Sequence, residues 1–111
     1  MEPYELHPLQ VTITQANTTV VMFNTVPPNM KMDIYIIMAA NPGSANATVV
    51  LSGITRPVYT VVVPAVSNTL VMSSGGLPVA NVVPGDSLGV SANTTNIVVT
   101  VWYSLVPGTV G

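Results

Sequence analysis

The sequence predicts an all-β fold: one antiparallel β-sandwich of jelly-roll type, with about eight strands and no significant helix. Three observations carry this expectation. Valine and threonine recur in short runs, the composition that strands favour. Prolines and glycines, 10 and 8 of the 111 residues, punctuate those runs at short intervals. Finally, β-branched residues and prolines occupy every window long enough for three helical turns, which removes helix as a competitor.

Taken in order, residues 1–8 read as an extended N-terminal arm. They hold Pro3 and Pro8, and proline lacks the donor that a strand interior needs. The sandwich spans 9–106, and 107–111 form a C-terminal tail. The first strand is "LQVTIT", 9–14, where Val11 and Ile13 alternate with Thr12 and Thr14. "TTVVMF", 18–23, follows a turn at Gln15-Ala16-Asn17, and "TVPPN" then interrupts pairing. In "MKMDIYIIM", 30–38, period-two alternation places Met30, Met32, Ile34, Ile36 and Met38 on one face. Lys31, Asp33, Tyr35 and Ile37 take the other. Further strands are "ATVVLSG" (47–53), "PVYTVVV" (57–63) and "NTLVMSS" (68–74). A Gly-rich segment, 74–85, holds one short irregular strand. It leads to "DSLGVSA" (86–92) and "IVVTVWYSL" (97–105), whose Ile97, Val99, Val101, Tyr103 and Leu105 share a face. Val98, Thr100, Trp102 and Ser104 point the opposite way.

Hydrophobic residues make up 49% of the chain and charged residues 5%, against an ordinary charged share of about 25%. Thr, Ser and Asn fill the polar positions instead. Such a surface tolerates burial against another protein, so the chain reads as a component of an assembly. Runs such as 61–63 and 96–101 are apolar on both faces, which calls for a second covering beyond the chain's own core. Two basic residues, Lys31 and Arg56, cannot neutralise a phosphate backbone, so nucleic acid is not an expected partner. No apolar run approaches the ~18 residues of a membrane span, and the N-terminus lacks the basic start of a signal peptide. The chain contains no cysteine.

The tetrapeptide Gly85-Asp86-Ser87-Leu88 spells the motif of a serine esterase family. A serine nucleophile needs a general base and a group that orients it. No histidine or acidic residue follows Asp86, and the one histidine, His7, lies in the arm. The segment reads instead as a turn: Pro84 presets φ at the first corner and Gly85 takes positive φ at the second. Asp86 bonds back to the turn's amides, and Ser87 is the first polar-facing residue of the next strand. The expectation is a protein that is not an enzyme, with no cofactor and no small-molecule substrate. The carboxylates Glu2, Glu5, Asp33 and Asp86 lack the spacing of a metal loop, and Lys31 with Asp33 forms a solvated or interfacial ion pair. Three Asn-x-Thr sequons, at Asn17, Asn46 and Asn93, coincide with expected turns and read as turn residues.

Methionines at 30, 32 and 38 fit a core face, where flexible thioethers fill gaps. Trp102 and Tyr103 point to opposite faces, so at least one aromatic lies outside the core as a candidate interface anchor. Tyr35 is a further candidate, as are Tyr4, Leu6 and His7 of the arm, which orders on reaching a neighbour.

From residue 20 onward the pattern resembles a group of small bacteriophage virion β-sandwich proteins. The matching stretches are "VVMFNTVPPNMKMDIYIIMAANPGSANATVVL", 20–51, and "NTLVMSSGGLPVANVVPGDSLGVSANTTNIVVTVWYSL", 68–105. Val26-Pro27 matches the family's "VP" turn and Gly85-Asp86 its "GD" turn, although Pro28-Asn29 stands where the family often has Gly. The resemblance implies a head decoration, or cement, protein on the capsid exterior, made in the host cytoplasm. Its partners would be the major capsid protein and its own copies in a homotrimer. The alternative is a receptor-binding or structural module of a tail or fibre, presenting the loops 41–46, 74–78 and 93–96.

Overall fold

The computed structural model describes residues 5–72 and 75–108. Nine strands build it: β1 (His7–Ile13), β2 (Val20–Phe23), β3 (Met30–Asn41), β4 (Ala47–Ser52), β5 (Pro57–Val63), β6 (Ser67–Met72), β7 (Ala80–Val82), β8 (Leu88–Ala92) and β9 (Ile97–Pro107). All pairings are antiparallel. One sheet has the order β1-β9-β3-β6, with β7 also on β3, and the other has the order β2-β8-β4-β5. These two orders are a jelly roll with β7 added. The described residues include no helix.

The core lies between the sheets, where Ile13, Met32, Ile34, Ile37, Leu51, Leu88 and Ile97 are fully buried. Every second residue of β4 is buried (Ala47, Val49 and Leu51), as the two-residue period of a sandwich strand requires. On β9 the inward set is the expected one, from Ile97 to Leu105.

On β3 the expected face is overturned halfway along. Ile34 opposes Tyr103 while Ile36 opposes Trp102, so Tyr35 is an extra residue in the ladder. A bulge of this kind shifts the side-chain phase by one. Met32 and Ile34 point inward before it, and Ile37, Ala39 and Asn41 after it. Ile36 and Met38, expected in the core, therefore stand on the outside, and of the three methionines on this strand only Met32 is fully buried.

Further differences concern the ends. His7 and Pro8, expected in the arm, belong to β1, opposite Tyr103 and Trp102. Pro8 fits because its missing N–H falls on the free side of an edge strand. At the other end, β9 runs on to Pro107, opposite Met30. Asn41, buried at the end of β3, clamps the turn that follows. Its Nδ2 donates to the carbonyls of Ala45 (2.9 Å) and Val63 (3.1 Å), and its Oδ1 accepts from Gly43 N–H at 3.0 Å. One side chain thus ties the β3–β4 turn to the end of β5.

The bulge makes a prediction in which neighbouring isoleucines differ. Ile37→Ala should cost about 2–5 kcal/mol, the range for a buried aliphatic truncation. Ile36→Ala should cost under about 1 kcal/mol, as a partly exposed site does. Urea unfolding of the two variants measures the contrast, and the uninterrupted alternation would give the reverse order.

Candidate assembly surface

The stretch that spells a serine-esterase motif forms the expected turn. Asp86 N–H donates to Val83 C=O at 3.1 Å, and Gly85 has φ of 82°. This is a type II turn with proline at its first corner and glycine at the second. Asp86 does more than bond its own turn. Its Oδ1 accepts from the N–H groups of Ile54 (2.7 Å) and Ser87 (2.8 Å), and its Oδ2 from the Thr55 hydroxyl (2.7 Å) and Thr55 N–H (3.4 Å). The carboxylate thereby joins the β7–β8 turn to the β4–β5 hairpin. A Cβ at Gly53 would collide with it, so glycine permits the close approach. Burial pushes the Asp86 carboxyl up, but the hydrogen bonds from Thr55, Ser87 and Ile54 outweigh this and hold it below its ordinary value. Ser87, expected to face solvent, is buried.

The broad feature of the surface is the outer face of the five-stranded sheet. Register sets its side chains in rows across the strands. One row runs Pro8, Trp102, Ile36, Met72, and the next Gln10, Thr100, Met38, Leu70. A third runs Thr12, Val98, Ala40, Asn68. Leu70 and Met72 are 54% and 59% exposed, while Trp102, Ile36, Met38 and Val98 are half-buried. Gln10 Nε2 donates to the Thr100 hydroxyl at 3.0 Å, which satisfies the central polar group of the face. These three rows carry no charge. A contiguous apolar patch of this kind on one chain marks an interaction surface.

The next row, toward the start of β3, holds Ser104, Asp33 and Asn81. Lys31 Nζ lies 3.8 Å from Asp33 Oδ1, which has no hydrogen-bond partner among the described residues. The expected ion pair is present, but the carboxylate is 6% exposed and not solvated.

The interface candidates separate. Trp102 lies on the apolar face. Tyr103 turns between the sheets, 5.6 Å from the Phe23 ring and 5.7 Å from the His7 ring; both it and His7 belong to the inner side. Leu6 is exposed just before β1, Tyr35 occupies the bulge, and Tyr4 lies outside the described residues. Leu70 and Met72 were not anticipated, because "NTLVM" is equally apolar at both parities over its last residues.

The two ends of the sandwich differ in charge. Glu5, Lys31, Asp33, Arg56 and Asp86 all lie at the end where β3 and β5 begin and β4 ends. The opposite end carries no described charged residue. There the loops 41–46 and 93–96 come together with residues 64–68. They line two shallow grooves of about 450 and 400 Å³ that share Pro42 and Asn96. The described part of the expected third loop, 75–78, leads instead to Val79, whose N–H donates to Ile34 C=O of β3 at 2.8 Å. The three sequon asparagines serve as turn residues at the uncharged end. Asn17 has φ of 58°, Asn46 Oδ1 accepts from Ala65 N–H (3.1 Å), and Asn93 Oδ1 accepts from Thr48 N–H (2.9 Å).

No family model matches the chain, and no curated protein matches it. Among solved structures, it is similar to a chain from the Bacillus endospore appendages, described as a novel family of disulfide-linked pili. The identity is 18% over 92% of this chain and 88% of that one, with a TM-score of 0.47.

Asp86 sets a pH dependence. Its folded-state pKa is depressed, so its contribution is complete above the ordinary carboxylate range and lost as pH falls through the folded value. Asp86→Asn should lower stability by about 1–3 kcal/mol near neutral pH, the range for hydrogen bonds to a charged group. The difference from the parent should shrink on acidification. Thermal melts of both proteins between pH 7 and pH 2 measure it, and a constant difference would contradict the assignment.

Proposed function

We propose that the chain is a decoration, or cement, protein of a phage capsid, bound to the outside of the assembled shell and contacting its major capsid protein. The observation that carries this reading is the uncharged apolar face around Trp102, Leu70 and Met72. The jelly roll supplies a rigid platform for that face, although a fold by itself assigns no function. Mass action supplies the mechanism: a module that binds only the assembled lattice stabilises it by the free energy of binding, repeated over many sites. Contacts made of apolar side chains are little screened by salt, so attachment persists across ionic strengths. The homotrimer that the resemblance implies is part of this proposal.

A second reading is a receptor-binding module of a tail or fibre. It is favoured by the meeting of loops 41–46 and 93–96 around grooves at the uncharged end. One groove is mostly apolar, with Ala40, Pro42, Val66 and Val98, and the other presents the hydroxyls and amide of Ser44, Thr94, Thr95 and Asn96, an uncharged lining that suits a neutral ligand.

Sedimentation with undecorated phage capsids, and separately with host cells, distinguishes the two readings. The decoration reading expects saturable binding to capsids and none to cells. Trp102→Ala and Leu70→Lys should each weaken capsid binding at least about tenfold, as loss of an interface anchor does, and Leu70→Lys should leave the melting temperature nearly unchanged. Binding to cells alone, or capsid binding indifferent to both substitutions, would overturn it.

A further inference from the structure

The four-stranded sheet ends in β5, which among the described residues pairs with β4 and with no strand on its other side. The direction of its main-chain groups follows from Thr48. Thr48 C=O accepts from Asn93 N–H at 3.2 Å and its N–H donates to Asn93 Oδ1, so both groups point toward the β8 side. Alternation then turns the groups of Ala47, Val49 and Leu51 toward β5. Their partners Val63, Val61 and Tyr59 point back. Thr60 and Val62, lying between those partners, direct their N–H and C=O groups away from the sheet. Both residues are exposed, Val62 at 57%. Among the described residues the Val62 carbonyl meets a long contact from the Thr69 hydroxyl, at 3.5 Å.

An unpaired edge of this kind recruits another strand unless something blocks it. Among the described residues the edges at β1 and β2 carry blocks, whereas β6, the far edge of the other sheet, pairs with β3 alone. On β1, Asn96 N–H donates to Ile13 C=O, so the odd-numbered groups face β9 and the even-numbered ones face outward. Pro8 therefore stands on the free side and offers no donor. β2 has four residues and a register shift, and β3 beyond β6 is covered by β7. On β5, residues 59–63 contain no charge, no proline and no glycine. A register shift before Tyr59 and Pro64 after Val63 bracket this open stretch.

We propose that β5 pairs with β5 of a second copy about a two-fold axis through Val61, joining two four-stranded sheets into one. The sequence fits itself in this register. Thr60 faces Val62 of the partner copy and Val62 faces Thr60, and each such pair exchanges two main-chain hydrogen bonds. Val61 faces its own counterpart, and Tyr59 faces Val63. Every cross-strand pair joins β-branched or aromatic residues, the combinations that stabilise a sheet, and none sets like charges together. An isologous contact needs only this one self-complementary segment. It leaves the apolar face around Trp102 free, and so stands independently of the capsid reading.

Two measurements test the pairing. Because the chain contains no cysteine, Val61→Cys introduces a unique thiol on the proposed axis. There the two Cα atoms come within about 4.5 Å, inside the range for a disulfide. Under a glutathione redox buffer this variant should cross-link to a covalent dimer, while Leu70→Cys should not. In the unmodified protein, the Thr60 and Val62 amides should exchange hydrogen at least about tenfold more slowly as concentration rises into the dimeric range. Thr60→Pro, which takes away an outward donor at an edge position, should abolish this concentration dependence and leave the protein folded. Exchange at Thr60 and Val62 that is independent of concentration overturns the proposal, whatever the cysteine variant does. Failure to bind capsids would leave both readouts unaltered.

Discussion

The pairing of β3 with β9 organises the whole molecule. These are the two longest strands, and they form the middle of the five-stranded sheet, with β1 on one flank and β6 and β7 on the other. The extra residue at Tyr35 interrupts this long ladder, and a bulge of this kind locally increases the twist. Because β3 changes parity there, one strand supplies Met32 and Ile34 to the core below the bulge and Ile37 and Ala39 above it. The same parity change puts Ile36 and Met38 on the outside beside Trp102. Core and outer apolar face thus come from a single backbone irregularity, so neither can be altered there without the other.

Much of the architecture was legible because its signals are local. Pro84, Gly85 and Asp86 have intrinsic backbone preferences that no tertiary contact needed to override, and the turn formed where those residues stand. The alternation along β9 was legible as well, since no bulge is seated on that strand. The parity change of β3 left no such mark: methionine and isoleucine at 30, 32, 34, 36 and 38 continue the alternating pattern across it. Leu70 and Met72 were equally hidden, because exposure on an edge strand depends on which neighbours the fold supplies. Asp86 was half legible. Its turn was read, while its bonds to Ile54 and Thr55 join segments about thirty residues apart in sequence, a relation that no local pattern encodes.

The distribution of charge complements that of apolar surface. With all described charged residues at one end, the rest of the sandwich exposes hydroxyls, amides and methyl groups. Solvation of the isolated chain then rests on Thr, Ser and Asn, which form hydrogen bonds with water or with protein at comparable free energy. Little desolvation penalty opposes their burial in an interface. The buried Asp33 is the exception, a carboxylate oxygen held near a cation without a hydrogen bond, and pairs of this kind seldom add net stability.

The winding of the chain also governs how it must fold. Only β4 and β5 are adjacent both in sequence and within a sheet. Every other paired strand meets a partner reached through a crossover, and β1 closes onto β9 at the far end of the chain. The entropy of closing such long loops is lost before the contacts that compensate it exist. Topologies dominated by distant pairings accordingly fold over milliseconds to seconds, far slower than helical domains of similar size. During that interval the β4–β5 hairpin is the one element able to form early, and it does so with β5 already uncovered on its outer side.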